Sequence, residues 1–133
     1  MTPKFRAYDS GSLSRMYQPD EVMVGNGNIW IIDEDSVAGE WIVNNDIHIM
    51  QSTGLRDELG EELFEGDVIL WSYWDEFEDG GSAKVIFDKG MFKLLDIRTG
   101  KEVWNNLFDC IENCNVYLQG NIYENHELLE DKK

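Results

Sequence analysis

The amino-acid sequence predicts a mainly β protein whose second part is a meander of short strands curled into a small SH3-like β-barrel. Two observations carry this prediction. Short apolar runs recur along most of the chain, and glycine- or asparagine-containing turns stand between them. One short helix is expected near the C-terminus. The 133 residues are enough for one domain with an apolar core.

Residues 1–50 are predicted to form an N-terminal β-hairpin region. Two hairpins are expected, 4–9 with 13–17 and 21–24 with 28–33, and a third pair of short strand-like runs, 40–43 and 46–50, follows them. The second pair flanks Gly25-Asn26-Gly27, where Asn-Gly supplies the positive φ angles of a tight hairpin turn. Asn44-Asn45 is a turn composition between the strands of the third pair.

Residues 51–133 are predicted to form the SH3-like barrel portion, either as a second domain or continuous with the first. The polar segment 51–66 is interpreted as an ordered loop, because three glycines interrupt its helix-like leucine spacing. Four meander strands are expected at 68–74, 83–88, 91–97 and 101–104, with Asp79-Gly80-Gly81 as the first turn. A short helix over 105–113 and a last strand over 116–122, bent at Gly120, complete the chain.

The charge of the chain is strongly negative, with 27 acidic and 11 basic residues and a net charge of −16. Counterion release from nucleic acid requires lysine and arginine, so direct binding to DNA or RNA is not expected. Residues 56–80 contain ten acidic residues and one basic residue, Arg56. Residues 81–109 contain five basic and four acidic residues. The sequence shows no signal-peptide core and no membrane span, which predicts a cytoplasmic protein.

No catalytic, cofactor or metal site is predicted. Cys110 and Cys114 are one helical turn apart, but only His48 and His126 remain to complete a zinc site, and neither has metal-type spacing. The two cysteines are therefore expected to pack as small apolar residues. The acidic turn at 75–80 has Phe77 where a calcium loop needs an oxygen ligand.

A partner-binding surface is predicted where aromatic and acidic residues adjoin. Trp71 and Tyr73 share one face of a predicted strand. Carboxylates surround that strand in the sequence, at Asp57, Glu58, Glu61 and Glu62 before it and at Asp75, Glu76 and Glu78 after it. Charge pairing and cation–π contact suit this combination to a basic peptide or protein. Packing of the aromatic rings in the barrel core is the alternative interpretation.

Three segments of the chain resemble the YopX family of bacteriophage and prophage proteins. They are PKFRAYD at 3–9 with Met16-Tyr17, MQSTGLRDELGEELFEGDV at 50–68, and VYLQGNIYENHELL at 116–129. The match runs in order along nearly the whole chain. The resemblance implies a phage-derived protein of a bacterial host cell with an SH3-like barrel and homo-oligomeric assembly. It transfers no catalytic residue, since none is defined in the family.

Three functions compete at this point. The first is a non-enzymatic module that binds another protein or assembles with itself, which follows from the β pattern and the aromatic and acidic residues. The second is an acidic DNA mimic that occupies a host DNA-binding or restriction protein, which follows from the charge of −16. The third is an enzyme whose carboxylate pair forms only in three dimensions. The first is the function that the sequence favours.

Overall fold

The computed structural model describes residues 4–11, 14–33, 35, 38–73 and 76–129, with only the backbone of 76–79. Over these residues the chain is mainly β, as predicted, with strands, one α-helix and two short 3-10 helices. Two compact units divide the chain, Met1–Ser52 and Thr53–Lys133. We call them the first unit and the second unit.

The first unit contains two sets of antiparallel strands. Its strands are β1 (Phe5–Asp9), β2 (Arg15–Tyr17), β3 (Val22–Gly25), β4 (Asn28–Ile32), β5 (Trp41–Val43) and the beginning of β6 (His48–Arg56). β1 pairs with both β2 and β6, and β3, β4 and β5 form a separate three-stranded sheet in that order. A 3-10 helix, Pro19–Glu21, precedes β3. The buried apolar core of the first unit consists of Ala7, Tyr17, Val22, Ile31 and Ile47.

Both hairpins predicted in this unit are confirmed. β1 pairs with β2, and β3 pairs with β4 around the Asn26-Gly27 turn, where both residues have positive φ. The strands predicted over 40–43 and 46–50 are present as β5 and the beginning of β6, and they pair with β4 and β1 and not with each other. Asn45 instead bonds across to β4: its Oδ1 accepts the Ile29 amide at 2.8 Å. The turn was recognisable from the sequence, whereas the pairing partners of the two strands that flank it were not.

The loop predicted over 51–66 is also wrong, since β6 continues to Arg56 and β7 (Glu62–Phe64) follows it. Gly54 and Gly60 both have positive φ, at 76° and 85°, so they serve a local bend and a turn within a hairpin. The Thr53 hydroxyl donates a hydrogen bond to the Leu63 carbonyl at 2.8 Å across this hairpin. The leucine spacing therefore reflects strands and not a disrupted helix.

The second unit is built on a five-stranded antiparallel sheet of order β11-β10-β9-β8-β12. Its strands are β8 (Asp67–Tyr73), β9 (Glu76–Asp88), β10 (Met91–Asp96), β11 (Glu102–Val103) and β12 (Asn115–Asn121). The sheet packs on a core that includes Leu63, Ile69, Val85, Leu94 and Leu107. The meander is confirmed, whereas its closure into an SH3-like barrel stays a prediction.

The turn predicted at Asp79-Gly80-Gly81 is wrong, because β9 runs through all three residues. The ladder between β8 and β9 shifts register between Ser72 and Tyr73. A Cβ atom on Gly80 would lie 2.1 Å from the Trp71 carbonyl oxygen, so glycine allows two backbones to approach closely here. The glycines accordingly mark an irregular strand pairing, not a chain reversal.

The C-terminal elements follow their local signals. Helix α1 (Leu107–Asn113) begins after Asn106, whose side chain accepts a hydrogen bond from the Asp109 amide at 2.8 Å. Strand β12 shifts register between Leu118 and Gly120, which confirms the predicted bend. A 3-10 helix, His126–Leu129, follows. Asn125 lies against Gly120, where a Cβ atom would be 2.4 Å from its Oδ1.

Candidate protein-binding surface

The turn between β6 and β7 is organised by the carboxylate of Asp57, which is only 8% exposed. Its Oδ1 accepts the amides of Leu59 and Glu61 at 2.9 and 2.8 Å. Its Oδ2 accepts the amide of Leu118 on β12 at 2.9 Å. Asp57 thus shapes the turn and ties it to the edge of the five-stranded sheet.

The same turn presents the predicted acidic residues Glu58 and Glu61 to solvent. Between them stands Leu59, which is 76% exposed. The Arg56 guanidinium donates to the Gly60 carbonyl at 2.8 Å, which further fixes the backbone. Glu62 follows on β7 and is half-buried. The turn is therefore a rigid projection with one apolar side chain among carboxylates.

Trp71 and Tyr73 lie on one face of β8, as predicted, and their rings meet edge to face at 5.7 Å. Trp104, which follows β11, completes the group: its ring centroid is 5.4 Å from that of Trp71 and 6.0 Å from that of Tyr73. Tyr73 is 44% exposed, whereas Trp71 and Trp104 are half-buried against the core. We call these three residues the aromatic cluster.

The backbone of Gly81 lies against the Trp71 indole, since a Cβ atom there would be 3.3 Å from its Nε1. In the part of the chain that the structure describes, the indole N–H groups of Trp71 and Trp104 have no hydrogen-bond partner. A buried donor without an acceptor costs about 1–3 kcal/mol. The aromatic cluster thus holds two buried donors whose lack of an acceptor costs stability.

Strand β12 connects the turn to the aromatic cluster. The Glu58 amide donates to the Val116 carbonyl at 2.9 Å, and Val116 is directly opposite Trp71 in the ladder of β12 and β8. The structure therefore places the backbones of Glu58 and Trp71 one strand apart, although 13 positions separate them in the sequence. Glu58, Leu59, Glu61 and the aromatic cluster together are called the acidic–aromatic surface.

The remaining predicted carboxylates are Asp75 and, at the beginning of β9, Glu76 and Glu78. Asp75 lies outside the described residues, as do the side chains of Glu76 and Glu78. Their part in a binding surface stays a prediction. Sequence reasoning missed Leu59 and Trp104. The exposed position of Leu59 could have been suspected from its place between glutamates and beside Gly60, whereas nothing local linked Trp104 to Trp71.

Cys110 and Cys114 are both fully buried, with their Sγ atoms 3.2 Å apart. The Cys114 thiol also donates to the Cys110 carbonyl at 2.9 Å. Burial is the largest cause that raises the thiol pKa of both residues, and for Cys110 the hydrogen bond with Cys114 raises the pKa further. Packing as small apolar residues is what the sequence predicted, and the structure confirms it.

The described residues contain no group of three or more His, Cys, Asp or Glu side chains that could hold a metal ion. The imidazole Nε2 of His48 is hydrogen-bonded to the Ser10 hydroxyl at 3.1 Å.

Within the described ranges, no helix is long and apolar enough to cross a membrane. An open cleft of about 240 Å³ in the second unit is lined by Leu55, Met91, Phe92, Asn106, Leu107 and Phe108, which include no titratable side chain.

The fold defines a mainly β protein of two small units built from antiparallel strands. The family model described as "YopX protein" matches residues 4–130. The chain therefore belongs to the YopX protein family. No curated protein matches the sequence.

Two solved structures resemble the chain over nearly its full length. The crystal structure of protein EF1440 from Enterococcus faecalis has a TM-score of 0.62 at 25% identity, covering 98% of this chain and 99% of that one. The crystal structure of protein yopX from Bacillus subtilis has a TM-score of 0.63 at 15% identity, with coverages of 96% and 98%. The second likeness shows the fold alone.

Proposed function

We propose that this chain is a non-catalytic protein-binding module whose acidic–aromatic surface holds a basic segment of another protein. The observation that carries the proposal is that β12 pairs with Trp71 on one side and accepts the Glu58 amide on the other, so the backbone of the acidic turn lies one strand away from that of Trp71. Carboxylates attract and orient a basic chain, and aromatic faces bind its ammonium or guanidinium groups.

Three features of the second unit support this function. The turn is fixed by Asp57 before any partner arrives, which lowers the entropy lost on binding. Leu59, 76% exposed, supplies an apolar anchor beside the glutamates. Tyr73, 44% exposed, presents an aromatic ring to which a basic side chain can bind.

DNA mimicry is less well supported than protein binding. A DNA mimic needs negative charges spaced along one face of the protein, like the phosphates of DNA, without positive charges between them. In the second unit the Lys93 ammonium lies 3.1 Å from Glu102 and 3.8 Å from Asp88, so the charges there are mixed. The partner that we propose is therefore a basic protein segment, and a DNA-binding protein is only one place where such a segment occurs.

Binding of a short labelled oligolysine peptide, followed by fluorescence anisotropy at ~0.15 M salt, tests this function. Replacing Tyr73 by alanine should weaken binding about three- to tenfold, because a half-exposed cation–π partner is lost. Phe87→Ala is the matched control, since Phe87 is 45% exposed on the same sheet but outside the aromatic cluster. Equal effects of the two substitutions would contradict the proposal.

A second comparison separates the turn from the general charge of the chain. The double variant Glu58→Gln, Glu61→Gln should bind the peptide several-fold more weakly than the double variant Glu112→Gln, Glu127→Gln. All four side chains are exposed, and each variant changes the net charge by two. If both variants lose the same affinity, the attraction is diffuse and the acidic–aromatic surface is not the site.

A further inference from the structure

Cys110 and Cys114 hold their sulfur atoms in direct contact. Cys110 lies within helix α1, and Cys114 is the residue at which this helix ends. Their Sγ atoms are 3.2 Å apart, and both side chains are free thiols. Because a disulfide bond is ~2.05 Å long, the two sulfur atoms are roughly 1.2 Å from bonding distance. The fold therefore places the pair in position for an S–S bond.

The backbone spacing of the two cysteines also suits a disulfide. The Cys114 amide donates to the Cys110 carbonyl at 3.0 Å, which places the two residues one helical turn apart. A rise of ~1.5 Å per residue separates their Cα atoms by roughly 6 Å along the helix axis. Disulfides join residues whose Cα atoms are ~4.4–6.8 Å apart. Closure therefore requires new side-chain torsion angles and no large displacement of the backbone.

The surroundings of the pair favour disulfide chemistry over a structural metal site. Zinc takes four protein ligands in a structural site. Among the residues that the structure describes, no His, Cys, Asp or Glu side chain completes a group of three with the two thiols. Two adjacent thiols are sufficient for a different reaction, namely their joint two-electron oxidation to a disulfide.

Burial controls when this reaction can occur. Both cysteines are fully buried, and burial is the largest cause that raises their thiol pKa values, so the closed helix protects them. Helix α1 has only seven residues, and short helices open locally more easily than the whole chain unfolds. The amide and the thiol of Cys114 both donate to the Cys110 carbonyl, so breaking these two hydrogen bonds releases Cys114.

The two thiols differ in how readily they ionise. Burial raises both pKa values, but the hydrogen bond between the thiols lowers the pKa of Cys114 and raises that of Cys110. The backbone of Ser72 also lowers the pKa of Cys114 by hydrogen bonding. Since the thiolate is the nucleophile, Cys114 is the sulfur that reacts first.

We propose that Cys110 and Cys114 form a modification site, at which a hydroperoxide closes an intramolecular disulfide when the last turn of α1 opens. The Cys114 thiolate attacks a peroxide oxygen, the O–O bond breaks, and hydroxide leaves as water with the proton of the Cys114 thiol. Cys110 then attacks the sulfenic acid sulfur of Cys114. The S–O bond breaks, and this hydroxide leaves as water with the Cys110 proton. The peroxide gains the two electrons that the thiols lose.

This site shares no residue with the acidic–aromatic surface, so the proposal stands apart from the proposed function. Hydrogen peroxide at ~1 mM, added to the full chain after the reductant is removed, tests it. Samples are then unfolded in iodoacetamide and analysed by peptide mass spectrometry. The wild type should accumulate a peptide that contains both cysteines, lacks two hydrogen atoms and resists alkylation.

Met91 is the internal control for this experiment. It is 42% exposed and becomes a sulfoxide on contact with peroxide, so its oxidation shows that the reagent reaches the protein. Thiols that remain fully open to alkylation after Met91 is oxidised would overturn the proposal. Disulfides that join two chains, in place of the internal bond, would overturn it as well.

Urea separates the opening of α1 from the unfolding of the whole chain. The last helical turn exposes little surface when it opens, so the rate of disulfide closure should depend on urea at least ~3-fold less steeply than the global unfolding equilibrium. Tryptophan fluorescence measures that equilibrium in the same samples. Equal urea dependence of the two quantities would refute opening confined to the helix.

Substitutions identify the sulfur that attacks. Cys110→Ser leaves Cys114 without a second thiol, so Cys114 should keep a sulfenic acid, which dimedone labels. Cys114→Ser is the matched control, in which Cys110 should be labelled at least ~3-fold more slowly. Circular dichroism checks that both variants fold, and the wild-type experiment does not depend on either. Equal labelling of the two variants, or faster labelling of Cys110, would refute attack by Cys114.

Discussion

Asp57 and the two cysteines show what single side chains contribute to this molecule. Asp57 is part of the acidic block by sequence, yet its oxygens accept three backbone amides. Cys110 and Cys114 are potential nucleophiles by type, yet burial raises their thiol pKa values and keeps them protonated. In both cases the surroundings, and not the residue type, determine the role.

Asp57→Ala should lower the free energy of unfolding by about 1–3 kcal/mol, because it leaves turn and β12 amides without their acceptor. Urea denaturation at neutral pH measures the change. Glu58→Ala, at the neighbouring exposed position, should have an effect below about 0.5 kcal/mol. A similar loss in both variants would show that the turn depends on general charge and not on the bonds of Asp57.

Stability should fall as the pH rises above 9.0, the ordinary thiol pKa. Because burial raises the pKa of both thiols in the folded state, the folded chain keeps protons that the unfolded chain releases. The contribution is complete below the ordinary pKa and declines by up to about 1.4 kcal/mol per thiol for each pH unit above it.

Urea titrations at several alkaline pH values under reducing conditions measure this dependence. The double variant Cys110→Ala, Cys114→Ala serves as the comparison, because it lacks both thiols while the other titrating groups remain. Its stability should decline less steeply with pH than that of the wild type. Parallel pH profiles for the two proteins would mean that the buried thiols do not contribute.

At the scale of elements, the irregular pairing of β8 and β9 positions the aromatic cluster. The register shift beside Ser72 and Tyr73 coincides with the close approach of Gly80 to the Trp71 carbonyl. Gly81 then lies flat against the Trp71 indole. The two glycines, predicted as a turn, instead allow the backbone of β9 to lie close to Trp71.

Gly80→Ala should destabilise the chain by about 1–3 kcal/mol or more, because the new Cβ would be 2.1 Å from a backbone oxygen that cannot rotate away. Thermal unfolding measures the loss, and near-ultraviolet circular dichroism reports the rearranged tryptophans. Gly25→Ala is the control: no atom lies within 4 Å of the added methyl group, and Gly25 does not have positive φ. Equal stability of the two variants would contradict the close approach.

The charge of −16 acts on the molecule as a whole. Like charges on a compact chain repel one another, and salt screens that repulsion. The free energy of unfolding should therefore increase, on the order of 1 kcal/mol, as KCl rises from ~0.02 to ~0.5 M. Urea is the appropriate denaturant because it is uncharged, and a stability that is constant or lower at high salt would contradict the expectation.

The sequence by itself determined the local features. Apolar runs and glycine-containing turns predicted the β1–β2 and β3–β4 hairpins and the meander, and Asn106 with the spacing of Leu107 and Ile111 predicted helix α1. The family and the location of the acidic block were also evident from the residues in order. Each of these depends on neighbours within a few positions, which is the range over which backbone preference and side-chain period act.

Only the tertiary structure decided which strands pair and which side chains meet. The strand period assigns Trp71 and Tyr73 to one face but does not say that Trp104 joins them. It likewise assigns Met23 and Val43 to a face without saying what covers that face. These contacts join residues far apart in the sequence, and their energies depend on packing partners that no local pattern contains. The acidic–aromatic surface depends on such distant contacts.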